Sequence, residues 1–334
     1  MRFTIRLISF AILVVAGFAG WLAWFAFSPV SLGKTPLEFE IRPGVGLRGA
    51  ANEIASAGVE FQSWKFTWLG RFTGKAGEVK AGSYELAQGV TPWEILSRIT
   101  RGDVSQAEIV FVEGKTFREL RAVLDANSNL RHDSRGLTDV EVLARIGATE
   151  SHPEGLFFPD TYLFAKRSSD LDVLRRAYQA MRRRLSIEWE NRDMSVPYGD
   201  PYQALIMASI VEKETGRPED RPFVASVFTN RLRRGMLLQT DPSVIYGLGE
   251  AFDGNLRKRD LLTDGEYNTY TRPGLPPTPI SMPGQASLHL VLHPPQSDKL
   301  YFVARGDGTS VFSRTLEEHN RAVAQHQKKN TGGN

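Results

Sequence analysis

The chain has 334 residues, 41% of them hydrophobic and 24% charged, which fits an ordinary globular protein with one large core or two to three modest domains. Its formal charge is only +3, and basic residues are interspersed with acidic ones, so nothing marks it for nucleic acid. With no cysteine, it has no disulfides, thiolate metal sites or cysteine nucleophiles.

Residues 1–6 carry Arg2 and Arg6 and are followed by an uncharged run of 21 residues, Leu7 to Phe27. At about 1.5 Å per residue such a run crosses a hydrocarbon core. Only Lys34 stands between it and Glu38, so the positive-inside rule predicts a cytoplasmic N-terminus. The expected location is the cell inner membrane, single-pass, with the rest of the chain periplasmic or otherwise extracytoplasmic. The rival reading is a cleaved signal peptide with Gly17 and Ala19 at the cleavage site; the apolar run continues past them to Phe27.

Residues 28–36 (SPVSLGKTP) read as a linker. Residues 37–130 then echo one pattern three times: a Gly turn and a short cap leading into an amphipathic helix, at RGAANEIASAG, PWEILSRITRG and FRELRAVLDAN. Such β-turn-α units resemble LysM-type modules, which bind N-acetylglucosamine polymers. A plain structural role for the region is the alternative.

Residues 131–327 are expected to form a mostly helical domain with small β elements. Helical patterning runs over residues 137–195 with a loop at His152 to Tyr162, and Arg182, Arg183 and Arg184 read as a solvated face. Leu300 to Ala304 and Gly306 to Phe312 read as a hairpin, followed by a helix from Leu316 and a disordered tail at 328–334. The fold class is therefore α+β: a transmembrane helix, a LysM-like α/β module and a mostly helical domain with small β elements, which the motifs below make the candidate catalytic domain.

The densest run of functional residues begins at Asp200, a good N-cap, with Pro201 suited to the first helical position. Gly216 and Pro218 end the helix. The sequence between is apolar on almost every side, which predicts a buried helix. At 100° per residue Met207, Ile210, Val211 and Glu214 share a stripe. Glu214 there loses solvation and faces the negative end of the helix dipole; both raise its pKa, as a general acid requires. Glu212 falls on another face. The alternative is that both glutamates serve salt bridges with Lys213 or a nearby arginine.

ASIVEKET at 208–215 resembles the catalytic helix of lytic transglycosylases, in which the acid is a Glu followed directly by Ser or Thr; here that pair is Glu214-Thr215. EGLFFPDTY at 154–162, ASVFTNRL at 225–232 and LQTDPSVIYGLG at 238–249 resemble the YceG-like (MltG) endolytic murein transglycosylase family. So do YNTYTRPGLPPTPISMPG at 267–284 and YFVARGDGTSVFSRTLEEHN at 301–320. The resemblance implies a lyase that cuts the MurNAc-GlcNAc bond within peptidoglycan strands and leaves 1,6-anhydro ends, with Glu214 as its single acid/base. It also implies peptidoglycan glycan strands and wall-synthesis proteins such as peptidoglycan synthases as partners, and no cofactor.

Gln239, Asp241, Tyr246, Tyr267, Asn268 and Tyr270 are polar or aromatic residues in Pro/Gly-rich loops, the types that line sugar grooves; turn or packing roles are the alternative. His289 and His293 have the i,i+4 spacing of zinc ligands but lack the Glu of an H-E-x-x-H motif, so no metal is expected. Two readings stay beside the transglycosylase: a hydrolase using Asp241 or Glu212 to activate water, and a non-catalytic glycan-binding scaffold.

Overall fold

The computed structural model describes residues 2–214 and 217–326. Thr215 and Gly216, and the tail at 328–334, lie outside the described residues. The fold is mixed α+β and mostly helical, with an apolar N-terminal helix. Its elements group into two compact units. The first holds residues 1–108 with the short returning segments 129–131 and 163–168, and the second holds the remainder.

The first unit opens with α1 (Arg2–Phe27), followed by β1 (Leu37–Ile41), α2 (Leu47–Ser56), α3 (Ser63–Phe72), β2 (Gly82–Leu86) and α4 (Pro92–Arg101). β1 and β2 pair antiparallel, Leu37 opposite Leu86 and Ile41 opposite Gly82. Strict alternation along β1 sends Leu37, Phe39 and Ile41 into the core, where Phe39 stacks on its cross-strand partner Tyr84 at 5.4 Å. Ala50, Ala51 and Ile54 of α2, Phe66 and Leu69 of α3, and Ile95, Leu96 and Ile99 of α4 complete this core. Gly70 lets α2 and α3 pack closely, because a Cβ there would lie 2.5 Å from Leu47 Cδ2. α4 is defined at both ends, by the Thr91–Glu94 capping box and by left-handed Gly102.

The last turns of α1 belong to this core: Leu22, Phe25 and Ala26 are 8%, 8% and 3% exposed. Residues 28–36, expected as a linker, are tied to the same unit. Val30 N–H donates to Val90 O at 3.0 Å, Gly33 N–H to Gly58 O at 3.0 Å, and Leu32 bridges Val59. The physical reason is hydrophobic: Val30 and Leu32 pack on the core instead of facing water.

β3 (Gln106–Val110) pairs with β4 (Thr161–Ala165), and through these two strands the chain passes between the units. α5 (Phe117–Ala126), which the sequence echo put in the N-terminal module, groups with the second unit. There follow α6 (Asp139–Ile146), α7 (Asp170–Glu190), α8 (Pro201–Glu214), α9 (Arg221–Arg233), α10 (Asp241–Leu248), α11 (Lys258–Leu262) and α12 (Gln285–Leu292). The hairpin expected near the C-terminus is β5 (Tyr301–Ala304) with β6 (Ser310–Ser313), and the closing helix is α13 (Leu316–His326). α8 is the central element of this unit, packed on by α7, α9, α10 and α12.

Because Leu22 and Phe25 are core residues, where the N-terminus is cut decides stability. Removing residues 1–21 is expected to leave a folded chain. Removing residues 1–30 strips two large core side chains, a loss of roughly 3–6 kcal/mol, and should lower the unfolding midpoint of the first unit in a denaturant titration. Equal midpoints for the two truncations would refute this.

Candidate active site

α8 begins as its sequence predicts, with Asp200 Oδ1 accepting from Gln203 N–H at 2.9 Å. Its eight consecutive residues Ala204 to Val211 are all buried. Ser209 is the one polar residue among them, and its hydroxyl is fully used. It donates to Ile206 O at 2.7 Å and accepts from Ile280 N–H at 3.0 Å. Ser281 Oγ donates to Ser209 O at 3.2 Å, so the Pro-rich segment around 279–282 is latched along the helix.

Glu214 ends α8 and is partly accessible, while its carboxyl group is largely enclosed by protein. Burial pushes that carboxyl up to about 7. The Asp241 carboxylate raises it further, whereas the Thr240 hydroxyl and Arg231 guanidinium act against the shift. Thr240 Oγ1 is buried and makes no hydrogen bond of good geometry among the described residues, so it does little to favour the charged form. Arg231 is only 7% exposed; its Nε donates to Leu300 O at 2.6 Å, and its Nη1 to Leu238 O at 2.8 Å and Gln239 Oε1 at 3.4 Å. It supplies positive potential near Glu214 without forming an ion pair that would keep the carboxyl charged.

Two loops meet around Thr240. Gln239 is exposed and held at φ 53°, a left-handed conformation, with its N–H donating to Thr269 O at 3.1 Å. Thr240 N–H donates to Thr269 Oγ1 at 3.0 Å, and Ser243 Oγ donates to Thr240 O at 2.9 Å. Asp241 starts α10, with Pro242 in its first turn, and accepts from Tyr270 Oη at 2.5 Å. The structure therefore gathers Glu214, Gln239, Asp241 and Tyr270 around one partly open spot. Asn268 is different: 4% exposed, its amide donates to Asp260 O, Leu261 O and Thr263 O at 3.1, 3.1 and 2.6 Å. It shapes the loop that presents Tyr270 and has no donor left for a ligand.

Glu212, two residues before Glu214, takes the salt-bridge role. Its side chain is 6% exposed and lies 3.5 Å from Arg221. Its Oε2 accepts from Gly284 N–H at 3.0 Å and Ser287 Oγ at 2.7 Å, capping the N-terminus of α12. Glu113 shares this corner, with its pKa raised by burial and then by Glu212. Gly284 leaves room for the Glu113 carboxylate, which lies 1.9 Å from where a Cβ would stand and would have to swing aside for any other residue.

The YceG-like family profile matches residues 39–325. An endolytic murein transglycosylase of Bacillus subtilis is 31% identical over 310 residues, covering 88% of this chain and 85% of that protein. The chain belongs to the YceG-like family. An endolytic murein transglycosylase of Streptococcus pneumoniae is 25% identical over 86% of this chain, which spans 57% of that longer relative. The crystal structure of a yceG-like protein of Listeria monocytogenes superposes with a TM-score of 0.54 at 31% identity, covering 85% of this chain and 97% of that one.

Within this YceG-like chain the remaining expected groove residues form a separate cluster. Tyr246 donates to Glu154 Oε2 at 3.1 Å and packs against Tyr267 at 4.9 Å; Tyr267 Oη lies 2.8 Å from Thr278 Oγ1. Glu154 is 3% exposed, and burial pushes it up to about 7. Its other oxygen accepts from Phe117 N–H at 2.9 Å, at the start of α5. Glu154 was not singled out from sequence, although an acid beside the apolar run Leu156-Phe157-Phe158 is the signal of a buried carboxyl. His289 and His293 both approach Glu188 Oε2, at 3.0 and 3.4 Å. Glu188 comes from α7 and gives this pair a carboxylate that local spacing did not reveal; the three form a donor set within reach of a single cation.

The Glu214 shift carries a thermodynamic consequence. Unfolded, this carboxyl titrates near 4.5; folded, near 7. Between those values the folded state keeps a proton that the unfolded state has lost, so stability falls as pH rises through that window and stays lower above it. Glu214→Gln cannot ionise, and should match the parent near pH 4 and exceed it by roughly 3 kcal/mol at pH 8. Glu212→Gln should do the reverse at pH 8, losing about 1–3 kcal/mol by weakening a buried ion pair. Denaturant melts at the two pH values test both, and a Glu214→Gln protein no more stable than the parent at pH 8 would refute the assignment.

Proposed function

We propose that this chain is an endolytic murein transglycosylase with Glu214 as its only acid/base. The observation that carries the reading is a carboxyl raised to about 7 at the accessible end of an otherwise buried helix. Protonated Glu214 donates to the oxygen of a MurNAc-GlcNAc bond as the anomeric carbon gains oxocarbenium character. The carboxylate so formed takes the proton of the C6 hydroxyl of the same MurNAc, and that oxygen closes on C1. The bond to the leaving sugar breaks, a C1–O6 bond forms, and the product ends in a 1,6-anhydro ring. Water takes no part, so the second carboxylate of ordinary glycosidases is not needed. Gln239, Asp241 and Tyr270 are proposed to hold the sugars beside Glu214, with Asn268 positioning Tyr270. Tyr246 and Tyr267 contribute through the Glu154 cluster.

We further propose that α1 is a single-pass anchor that leaves the catalytic unit outside the membrane, where glycan strands and peptidoglycan synthases are found. The β1-α2-α3-β2 order with its antiparallel strand pair supports a LysM-like reading of the first unit, and with it affinity for glycan. A hydrolase is the second reading, favoured by Asp241, an exposed carboxylate close enough to Glu214 to raise its pKa.

The chemistry of the cut end separates these readings. Mass spectra of digested, uncrosslinked glycan are expected to show anhydro ends; reducing ends would establish the hydrolase. Glu214→Gln should lower the rate roughly 10²–10⁴-fold while glycan binding persists. Glu212→Gln should stay near normal per folded molecule. Because the acid must start protonated, kcat/KM should fall above pH 7 by roughly tenfold per unit. A flat profile from pH 6 to 9 would remove Glu214 from the acid role.

A further inference from the structure

α3 is apolar on two sides. Phe66, Leu69 and Gly70 are buried in the first unit, while Trp64, Trp68 and Phe72, spaced four residues apart on one stripe, are 52%, 42% and 59% exposed. A contiguous aromatic stripe of this kind marks a binding surface. It adjoins α1: Trp64 stacks on Trp21 at 5.6 Å, and Trp68 and Phe72 pack on Phe18 at 6.5 and 5.5 Å. An apolar groove of about 430 Å³ runs beside this stripe, lined by Val15, Phe18, Leu22 and Phe27 of α1 with Phe72 and Trp93. Cations ring its edge: Lys65 lies 5.3 Å from the Trp21 ring, Lys75 5.0 Å from Trp93 and Arg71 5.9 Å from Trp68.

Length decides what covers this surface. The uncharged run from Leu7 to Phe27 is about 31 Å long, just enough for a hydrocarbon core of about 30 Å. From Leu22 onward, however, one face of α1 is already covered by protein. Phe18 and Trp21 already touch α3, so only Leu7 to Gly17, about 16 Å, can meet lipid on all sides. The remaining 15 Å or so must be supplied together with whatever surrounds the end of α1, and that is the aromatic stripe of α3. Trp and Tyr rings favour the headgroup boundary, with Lys and Arg reaching the phosphates above them.

We propose that α3 is seated in the outer leaflet, its Trp64–Trp68–Phe72 stripe at the acyl boundary, and that the groove between α1, α3 and Trp93 binds a phospholipid acyl chain. The inference rests on the reading of α1 as a membrane span. The first unit is then a membrane-embedded module, not a domain tethered above the bilayer.

The cysteine-free chain makes the test direct, since a single introduced thiol takes a nitroxide label without competition. Full-length protein with Trp68→Cys or Phe72→Cys is reconstituted in phosphatidylethanolamine–phosphatidylglycerol vesicles, with Leu13→Cys in the span and Arg42→Cys, exposed just past β1, as references. Collision with oxygen reports lipid, and collision with a water-soluble nickel chelate reports solvent. Labels at 68 and 72 should be oxygen-rich and lose most of the nickel effect seen at 42, with 13 deeper still. If 68 and 72 meet nickel as freely as 42 while 13 is lipid-buried, α1 spans and the proposal for α3 fails. If 13 also meets nickel, the span reading itself fails. Shielding of 68 and 72 from both reagents means a protein surface covers the stripe, which overturns the lipid assignment.

Discussion

Desolvation along α8 is the constraint on which the second unit depends. Eight consecutive side chains from Ala204 to Val211 are buried, so this stretch of the helix has no face left to water and is positioned from every side at once. α7, α9, α10 and α12 pack around it, and the segment at 279–282 is latched to Ser209, whose hydroxyl would otherwise be an unpaired polar group in an apolar interior. A residue at the end of such a helix is held as firmly as the helix is. Glu214 is that residue. Its position is the consequence of a core, and its raised pKa is the consequence of the same core excluding water from one side of the carboxyl.

Three acids of this unit show how environment assigns roles. Glu212 and Glu214 are two residues apart and point to different faces of one helix. Glu212 finds Arg221, the N–H of Gly284 and the hydroxyl of Ser287, and is neutralised as an ion pair that fixes the start of α12. Glu214 meets no such set among the described residues; Arg231 nearby points its Nε and Nη1 at carbonyl oxygens. Glu154 reaches the same value as Glu214, about 7, yet is 3% exposed with both oxygens hydrogen-bonded. A raised pKa alone therefore does not nominate a catalytic acid. What separates Glu214 from Glu154 is access: one is open enough to meet a substrate, and the other holds α5 and Tyr246 together.

Local signals were legible in the sequence. The capping of α8 by Asp200, the buried helix itself, the hairpin at 301–313 and the separation of Glu212 from Glu214 all follow from patterns a few residues long. What was not legible depends on partners far along the chain. The Glu212–Arg221–Gly284 corner, the Glu188 that joins His289 and His293, and the consumption of Asn268 by its own loop are such tertiary facts. The apolar run at the N-terminus reads as an anchor from its length, its lack of charge and its flanking charges. Length cannot reveal that Leu22, Phe25 and Ala26 are shared with a folded core, because core and bilayer select the same residue types.

A single acid/base imposes a requirement that two-carboxylate enzymes avoid. The same group must give a proton in one half of the reaction and take one back in the other, so it must start protonated and still part with the proton readily. At an ordinary pKa of 4.5 only about 0.3% of the carboxyl would carry a proton at pH 7. At about 7 the two forms are nearly equal. Pushing the value higher would fill the acid form but weaken it as a donor to the leaving oxygen, and an ion pair of the kind Glu212 makes would push it the other way. Partial burial beside Asp241, with Arg231 near but committed elsewhere, lands between these failures. In the role proposed for it, Glu214 is thereby held where a ring closure needing both an acid and a base can run on one oxygen pair.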